Sequence, residues 1–287
     1  MKRVGIILAG GTGSRLFPLT YTISKQLLPI YDKPMIYYSL SILMLANIRE
    51  ILLITTSRDL INYKNLLGNG SRFGIKISYK VQKKPRGLAE AFILGEKFIK
   101  KRSCALVLGD NLFYGSELQK KLLKVTKSNK NTIFGFRVSN PKEYGVIEFN
   151  NKNKVISIQE KPVKPKSDYA AVGLYFYNNE VCKVSKNLKP SKRGELEITD
   201  LNNILLKKKK LKVEKLGRGF AWLDTGNPNN LIDASSFIKT IQERQNIQIA
   251  SIEEIAFNKK WINKNILKKS INIFKNSNYG TFLKTLL

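Results

Sequence analysis

The segment Leu8-Ala9-Gly10-Gly11-Thr12-Gly13-Ser14-Arg15 has the makings of a phosphate cradle. Its three glycines let the backbone approach a polyanion closely, and Arg15 can neutralise phosphate charge. The apolar run Val4–Ala9 leads into it, which places the loop at the carboxyl end of a buried strand, where backbone N–H groups point at a ligand. The spacing is neither G-x-x-x-x-G-K-[ST] nor G-x-G-x-x-G, so a Walker A loop is excluded and a dinucleotide fingerprint is a poor fit. Lys25-Gln26, shortly downstream, adds a second cation and an amide.

Two aspartates share one kind of setting. Asp110 closes the apolar run Ala105-Leu106-Val107-Leu108-Gly109, and Asp224 sits in Trp222-Leu223-Asp224-Thr225-Gly226. The chain contains no histidine. That removes Ser-His-Asp and Cys-His nucleophiles, H-E-x-x-H zinc sites and imidazole acid–base chemistry together. Chemistry here must run on carboxylates, Lys, Arg, backbone amides and a hard metal ion. Paired carboxylates suit Mg²⁺, which takes oxygen ligands and shares itself with substrate phosphates. Further groups stand at element ends: Glu160-Lys161-Pro162 after one strand candidate, and Arg193-Gly194-Glu195 before a helix. Gln82, just ahead of Pro85-Arg86-Gly87, carries an amide able to read a base edge.

The elements that must position these groups alternate in type. Strands are expected at Val4–Ala9, Ile51–Thr55, Ile75–Gln82 and Cys104–Gly109, with helices at Pro34–Ile48 and Gly87–Ile99 between them. Such β-α-β alternation argues for a Rossmann-like α/β fold, a mixed and mostly parallel sheet covered by helices on both faces. After Asn131 the texture changes to closely spaced strands at Thr132–Val138, Gly145–Phe149, Val155–Glu160 and Ala171–Tyr177, an inserted β region. Helices follow at Glu197–Leu206 and Asn229–Arg244, then a helical tail over Ile252–Leu287. The reading is a single domain over 1–287, with a phosphate-loop core over 1–130, an inserted part over 131–227 and the tail over 228–287.

Net charge is +30, from 51 Lys and Arg against 21 Asp and Glu. The lysines are dispersed rather than striped among aromatics, so no nucleic-acid partner is expected, although the field would still draw in anionic substrates. The opening apolar run is too short for a signal-peptide core, and no apolar stretch approaches the roughly 20 residues of a membrane span. Cys104 and Cys182 form no C-x-x-C pair and are expected as reduced, buried thiols. A soluble cytoplasmic protein without a membrane partner is the expectation.

Six ordered segments then carry a resemblance: Leu8–Arg15, Ser24–Tyr38, Leu106–Asn111, Glu160–Pro162, Arg193–Asp200 and Ala221–Gly226. Together with Asn278-Tyr279-Gly280 in the tail, they closely resemble the glucose-1-phosphate thymidylyltransferases of the sugar nucleotidyltransferase family. The resemblance implies transfer of a thymidylyl group from dTTP to α-D-glucose 1-phosphate, giving dTDP-glucose and pyrophosphate, as an early step toward dTDP-sugars such as dTDP-rhamnose. It implies that Leu8, Gly10, Gly11, Thr12, Gly13 and Arg15 hold the triphosphate, with Lys25 and Gln26 beside the reacting phosphates. Gln82, Gly87 and Leu88 would meet the base, and Asp110 and Asp224 would hold Mg²⁺. Tyr144, Gly145, Glu160, Lys161, Ala171 and Arg193 would hold glucose and its phosphate. A homotetramer with feedback inhibition at a second site is implied as well. The chain departs from the family pattern at Ser39, at Arg86, across Ala170-Ala171-Val172-Gly173 and at Asn227-Pro228-Asn229-Asn230. The residues by themselves leave open another nucleotide, such as UTP or CTP, or another hexose phosphate.

Overall fold

The computed structural model describes residues 3–287. Strand β1 (Val4–Ala9) is apolar throughout and buried on both faces, as a central parallel strand must be. Past the glycine loop, a tight hairpin of β2 (Pro29–Ile30) and β3 (Lys33–Pro34) feeds α1 (Ile36–Leu45). Nine of the ten residues of α1 are buried, because the helix lies between the sheet and the C-terminal tail. Next come β4 (Glu50–Thr55), α2 (Leu60–Leu67), β5 (Lys76–Val81), α3 (Glu90–Leu94), α4 (Glu96–Ile99) and β6 (Cys104–Leu108).

These four strands run parallel in the order β6-β1-β4-β5. The chain leaves β1 to build one side of the sheet and then crosses back to add β6 on the other. The carboxyl end of β1 is therefore a topological switch point, where helices on opposite faces part and leave a crevice. Leu8 pairs with Ile54 on one side and Leu108 on the other. Gly109 N–H donates to Leu8 O at 2.9 Å, so the glycine loop and Asp110 emerge together.

The second half extends the same sheet. β7 (Asn111–Gly115) and α5 (Leu118–Lys127) follow β6; then come β8 (Asn131–Arg137), β9 (Gly145–Phe149), β10 (Val155–Glu160) and β11 (Tyr169–Tyr177). The long β11 runs antiparallel to β6 through Leu174–Tyr177 and antiparallel to β8, and touches β9 through Ala170 opposite Val146. Helices α6 (Val181–Lys186) and α7 (Ile198–Lys207) precede β12 (Leu211–Leu216), which joins β8 in parallel and completes a mixed nine-stranded sheet. β13 (Phe220–Asp224) pairs antiparallel with β7 as a separate two-stranded ribbon. The chain ends in α8 (Pro228–Gln245), α9 (Ile252–Asn258), α10 (Lys264–Ile273) and α11 (Asn278–Lys284).

The expected α/β class holds, and several boundaries move. Pro34 pairs with Pro29 across the hairpin instead of opening a helix. The run expected as one helix over Gly87–Ile99 is two short helices meeting at Gly95, whose missing Cβ would lie 2.9 Å from Ala91 O and 3.3 Å from Ile6 on β1. From Ile252 onward the tail is three helices, each with a side-chain cap: Ser251 on Glu254 N–H, Asn263 on Ile266 N–H and Ser277 on Gly280 N–H. Among the described residues, no helix is long and apolar enough to cross a membrane.

Candidate active site

The two aspartates meet because of a register. In the β7–β13 ribbon Asp224 lies opposite Asn111, which brings it beside Asp110, and Thr225 Oγ1 closes the corner by donating to Asp110 O at 3.0 Å. Lys25 Nζ sits 2.7 Å from Asp110 Oδ2. The other carboxylate oxygen accepts from Asn111 Nδ2 at 2.9 Å. Asn111 has no freedom to turn: its Oδ1 accepts Gly173 N–H at 3.0 Å and Trp222 Nε1–H at 2.7 Å. A Cβ on Gly173 would lie 2.8 Å from Asn111 Cγ, so glycine is required for that approach. Asp110 is thus clamped from both sides. Asp224 is held in a different electrostatic state: burial, then the negative charge of Asp110, push its carboxyl up to about 6 against the opposing pull of Lys25 and Arg15.

The loop that brings Lys25 is anchored from below. Buried Asp59 accepts Ser24 N–H at 2.9 Å, and Ser24 Oγ donates to Gln26 Oε1 at 2.7 Å. Gly11 and Gly13 take positive φ values of 95° and 65°, and Gly13 O accepts Thr20 Oγ1–H at 2.7 Å. That left-handed backbone suits glycine and turns the loop over the crevice.

Opposite the loop lies a second set of groups. Glu160 Oε2 accepts Thr199 Oγ1–H at 2.6 Å. The Arg193 guanidinium holds both oxygens of Glu197, at 2.8 and 2.9 Å, and stands 3.5 Å from Glu160. Its pKa is raised first by the hydrogen bond to Glu197. Those contacts use Nε and Nη2, and Nη1 has no hydrogen bond among the described residues. Tyr144 packs its ring edge-on to Trp222 at 5.1 Å, and burial with the charges of Asp224 and Glu143 pushes its phenol up to about 12.

A cleft of about 440 Å³ joins the two sets. Its walls include, on the loop side, Gly10, Thr12, Gly13, Arg15, Lys25 and Gln26, and at its floor Asp110 and Asp224. Leu88, Tyr144, Gly145, Glu160, Lys161, Ala171 and Arg193 complete the side opposite. Four of the expected residues lie outside this lining. Leu8 is committed to β1, and Gly11 turns with its φ of 95° between the lining residues. Gln82 is buried beneath Gly10. Gly87 (φ 95°) is pressed on the Leu196 backbone, which a Cβ would strike. Sequence reasoning passed over Asn111, Gly173, Tyr175, Glu197, Thr199 and Trp222 as site groups, all of which line the cleft. Only Asn111 offered a signal, a polar amide immediately after a strand-ending aspartate. The rest become visible through partners far away in the chain. Among the described residues no three acidic or sulfur ligands cluster as a metal cage, so a cation here would rest on Asp110 and Asp224 with ligand oxygens.

A glycine loop at the switch point of an α/β sheet, with carboxylates and cations facing it, is the site of a protein that handles nucleotides and phosphates. The family model for nucleotidyl transferases matches residues 4–241. A glucose-1-phosphate thymidylyltransferase of Neisseria meningitidis is 52% identical over 284 residues, covering 99% of each chain. One of Mycobacterium tuberculosis is 49% identical over 283 residues, covering 99% of this chain and 98% of its own. Among solved structures, a Bacillus anthracis protein assigned the same activity, in complex with sucrose, aligns with TM-score 0.76 at 38% identity over 82% of this chain and 94% of its own. A UDP-glucose pyrophosphorylase complexed with UDP-glucose aligns with TM-score 0.72 at 26% identity, over 84% and 99%. The chain belongs to the nucleotidyl transferase family and, within it, to the glucose-1-phosphate thymidylyltransferases, enzymes of nucleotidyl transfer.

Proposed function

We propose that the cleft joins dTTP and α-D-glucose 1-phosphate into dTDP-glucose and pyrophosphate. The observation that carries the reading is the Asp110–Lys25–Asp224 cluster directly beneath the glycine loop, with a second anion-binding side across the cleft. A sugar-phosphate oxygen attacks the α-phosphorus in line; the P–O bond to the β-phosphate breaks and pyrophosphate leaves. The nucleophile is already an anion near neutral pH and needs no general base, which agrees with a site built without histidine. What the reaction does need is two anions held together against their repulsion.

The chain's own groups supply that. Arg15 and Lys25 face the triphosphate side, and Lys161 and Arg193 the sugar-phosphate side, Arg193 with Nη1 free to donate. Glu160, the Gly145 and Ala171 backbones and Tyr144 line the space for the hexose. The donor set suits Mg²⁺: burial and then the charge of Asp110 lift the Asp224 pKa, and a divalent cation between the two carboxylates would offset that charge. When bound, Mg²⁺ would offset charge on the phosphoryl oxygens. The proposal extends to a cytoplasmic homotetramer that supplies dTDP-glucose for dTDP-sugars such as dTDP-rhamnose, which sedimentation and product analysis test.

The deciding experiment is pyrophosphate release with dTTP, UTP and CTP against glucose, galactose and mannose 1-phosphates, with and without a chelator. Fastest turnover with dTTP and glucose 1-phosphate, abolished by the chelator, is expected. A preference for UTP would move the reading to the uridylyl reaction, toward the neighbour that is named a UDP-glucose pyrophosphorylase.

A further inference from the structure

The strands β5, β4, β1, β6, β8 and β12 all run the same way. The first four are parallel, β12 is parallel to β8, and β8 matches β6 because both are antiparallel to β11. The cleft stands at the carboxyl end of β1 and β6, so the amino ends share the opposite edge of the sheet. The chain reaches that edge repeatedly through lysine. Lys76 opens β5, Lys100 and Lys101 lead into β6, Lys130 into β8 and Lys207–Lys210 into β12, with Lys212 just inside it. All are exposed. Lys210 and Lys212 are engaged, by Glu180 at 2.9 Å and Glu214 at 2.6 Å; the others form no ion pair among the described residues. A lysine suits the last turn of a helix, which accounts for Lys207 on α7 but not for Lys130, Lys209, Lys210 and Lys212, which lie beyond any helix and surround a hollow of about 490 Å³. The Glu180 carboxyl is held below its ordinary range by the hydrogen bond from Lys210 and then, against burial, by the charges of Lys210, Lys208 and Lys183. Along the chain these lysines are dispersed, which gave no reason to expect an anionic surface as partner; the fold gathers them.

We propose that this edge docks the protein peripherally on an anionic lipid surface, with the cleft turned away toward solvent. The basic edge is wide. Along the path β12-β8-β11-β6-β1-β4-β5 it crosses six strand spacings, about 29 Å, more than one phosphate or nucleotide can bridge. It is also built of one residue type, and no arginine or aromatic lines the hollow. Nucleic-acid surfaces add arginine forks and stacking aromatics, and protein interfaces favour arginine and aromatics while excluding lysine. Hydrated ammonium groups on flexible stems fit instead a field of lipid phosphates, where each one near the surface raises partitioning about fivefold. Among the described residues no helix can cross a membrane, so the attachment rests on charge and weakens with salt. The proposal goes beyond the reaction and does not depend on it.

The test is co-sedimentation of the full chain with vesicles of phosphatidylcholine, with and without phosphatidylglycerol, at roughly physiological salt. Wild type should pellet with the anionic vesicles alone and leave them as salt rises. The combined variant K130Q/K207Q/K208Q/K209Q should lower the partition coefficient roughly 100-fold or more, with an unchanged thermal melt. A control removes the same charge on the cleft side: Lys83 and Lys84 follow β5, Lys142 precedes Tyr144 and Lys164 follows Lys161. K83Q/K84Q/K142Q/K164Q should lower partitioning less than about fivefold, since those groups would face away from the bilayer. Hydrogen exchange of wild type on vesicles gives a reading that needs no variant, with protection expected over 127–131 and 207–212 and none added at the glycine loop. Wild type that ignores phosphatidylglycerol, equal losses in the two variants, or protection confined to other segments would each overturn the proposal. RNA retention that depends on the same lysines, without vesicle binding, would also overturn it and assign the edge to nucleic acid.

Discussion

Carboxylates leave water in two regions of this molecule, and the two treat them in opposite ways. At the cleft floor, Asp110 and Asp224 face each other, and the cost of burial together with their repulsion is left standing in Asp224's raised pKa. Beneath the tail, the buried charges Lys33 and Glu253 belong to one closed cluster, with Asp32 at its edge. Lys33 Nζ, nearly inaccessible, binds Asp32 at 2.6 Å and the Gln242 and Gln248 carbonyl oxygens at 3.1 Å each, over the rings of Tyr38 and Tyr279. Tyr279 OH donates to Glu253, a fully buried residue on α9. The cluster satisfies nearly all its polar atoms from within the chain. The cleft withholds that compensation and leaves it to ligands. The difference separates charge kept for chemistry from charge kept for architecture.

The largest expected effect is at the cleft floor. Asp110→Asn should lower kcat/KM by about 1,000-fold, roughly 4 kcal/mol, as loss of a preorganised electrostatic group does, while the unfolding midpoint stays near wild type. Pyrophosphate release and a thermal melt measure both, and a large loss of stability with little loss of rate would erase the contrast between the regions. Lys33→Met is the mirror experiment. Removing this buried donor leaves the Gln242 and Gln248 oxygens without their bond, which should cost about 2 kcal/mol of unfolding free energy in urea titrations, with kcat nearly unchanged. A crippled but stable enzyme would show that the cluster reaches the chemistry.

Asn111→Leu sharpens the comparison within the cleft. It deletes the clamp on Asp110 and leaves both carboxylates in place, so activity should fall roughly 10- to 100-fold, as outer supporting partners typically cost. The requirement for added Mg²⁺ should rise with it; unchanged metal dependence would show that Asp110 needs no such clamp.

The smallest effect concerns Glu253. Burial raises its carboxyl pKa against the opposing hydrogen bond from Tyr279 and the charges of Arg72 and Lys33, and its Oε1 has no partner. A carboxyl raised on folding contributes stability below its unfolded pKa and loses that contribution as pH climbs through the folded value. Glu253→Gln should therefore gain about 1 kcal/mol on wild type between acid and pH 8, with no change in kcat. Parallel stability–pH curves for the two proteins would rule this out.

Much of the molecule is legible in one dimension. The strands β1, β4 and β6 are continuous apolar runs of a kind that only a doubly covered parallel sheet accommodates, and the loop after β1 advertises itself by its glycines. β7 was invisible because Asn111, Leu112 and Phe113 are all buried, which hides the two-residue alternation, and because its partner comes about a hundred residues later. Gly87–Ile99 read as one helix because its apolar spacing is helical throughout; only the approach of β1 to Gly95 breaks it.

The sequence by itself determined the α/β alternation, the phosphate loop at a strand end, the exclusion of histidine chemistry and the types of group that had to replace it. These are local properties: composition, periodicity and turn chemistry act over a few residues. Which charges would meet was decided only in three dimensions. Asp224 reaches Asp110 through the register of a ribbon, Asn111 is fixed by donors from β11 and β13, and Gln82 is turned by Glu90. Electrostatic strength depends on separation and on how much water is excluded. Neither quantity exists until the chain has closed on itself.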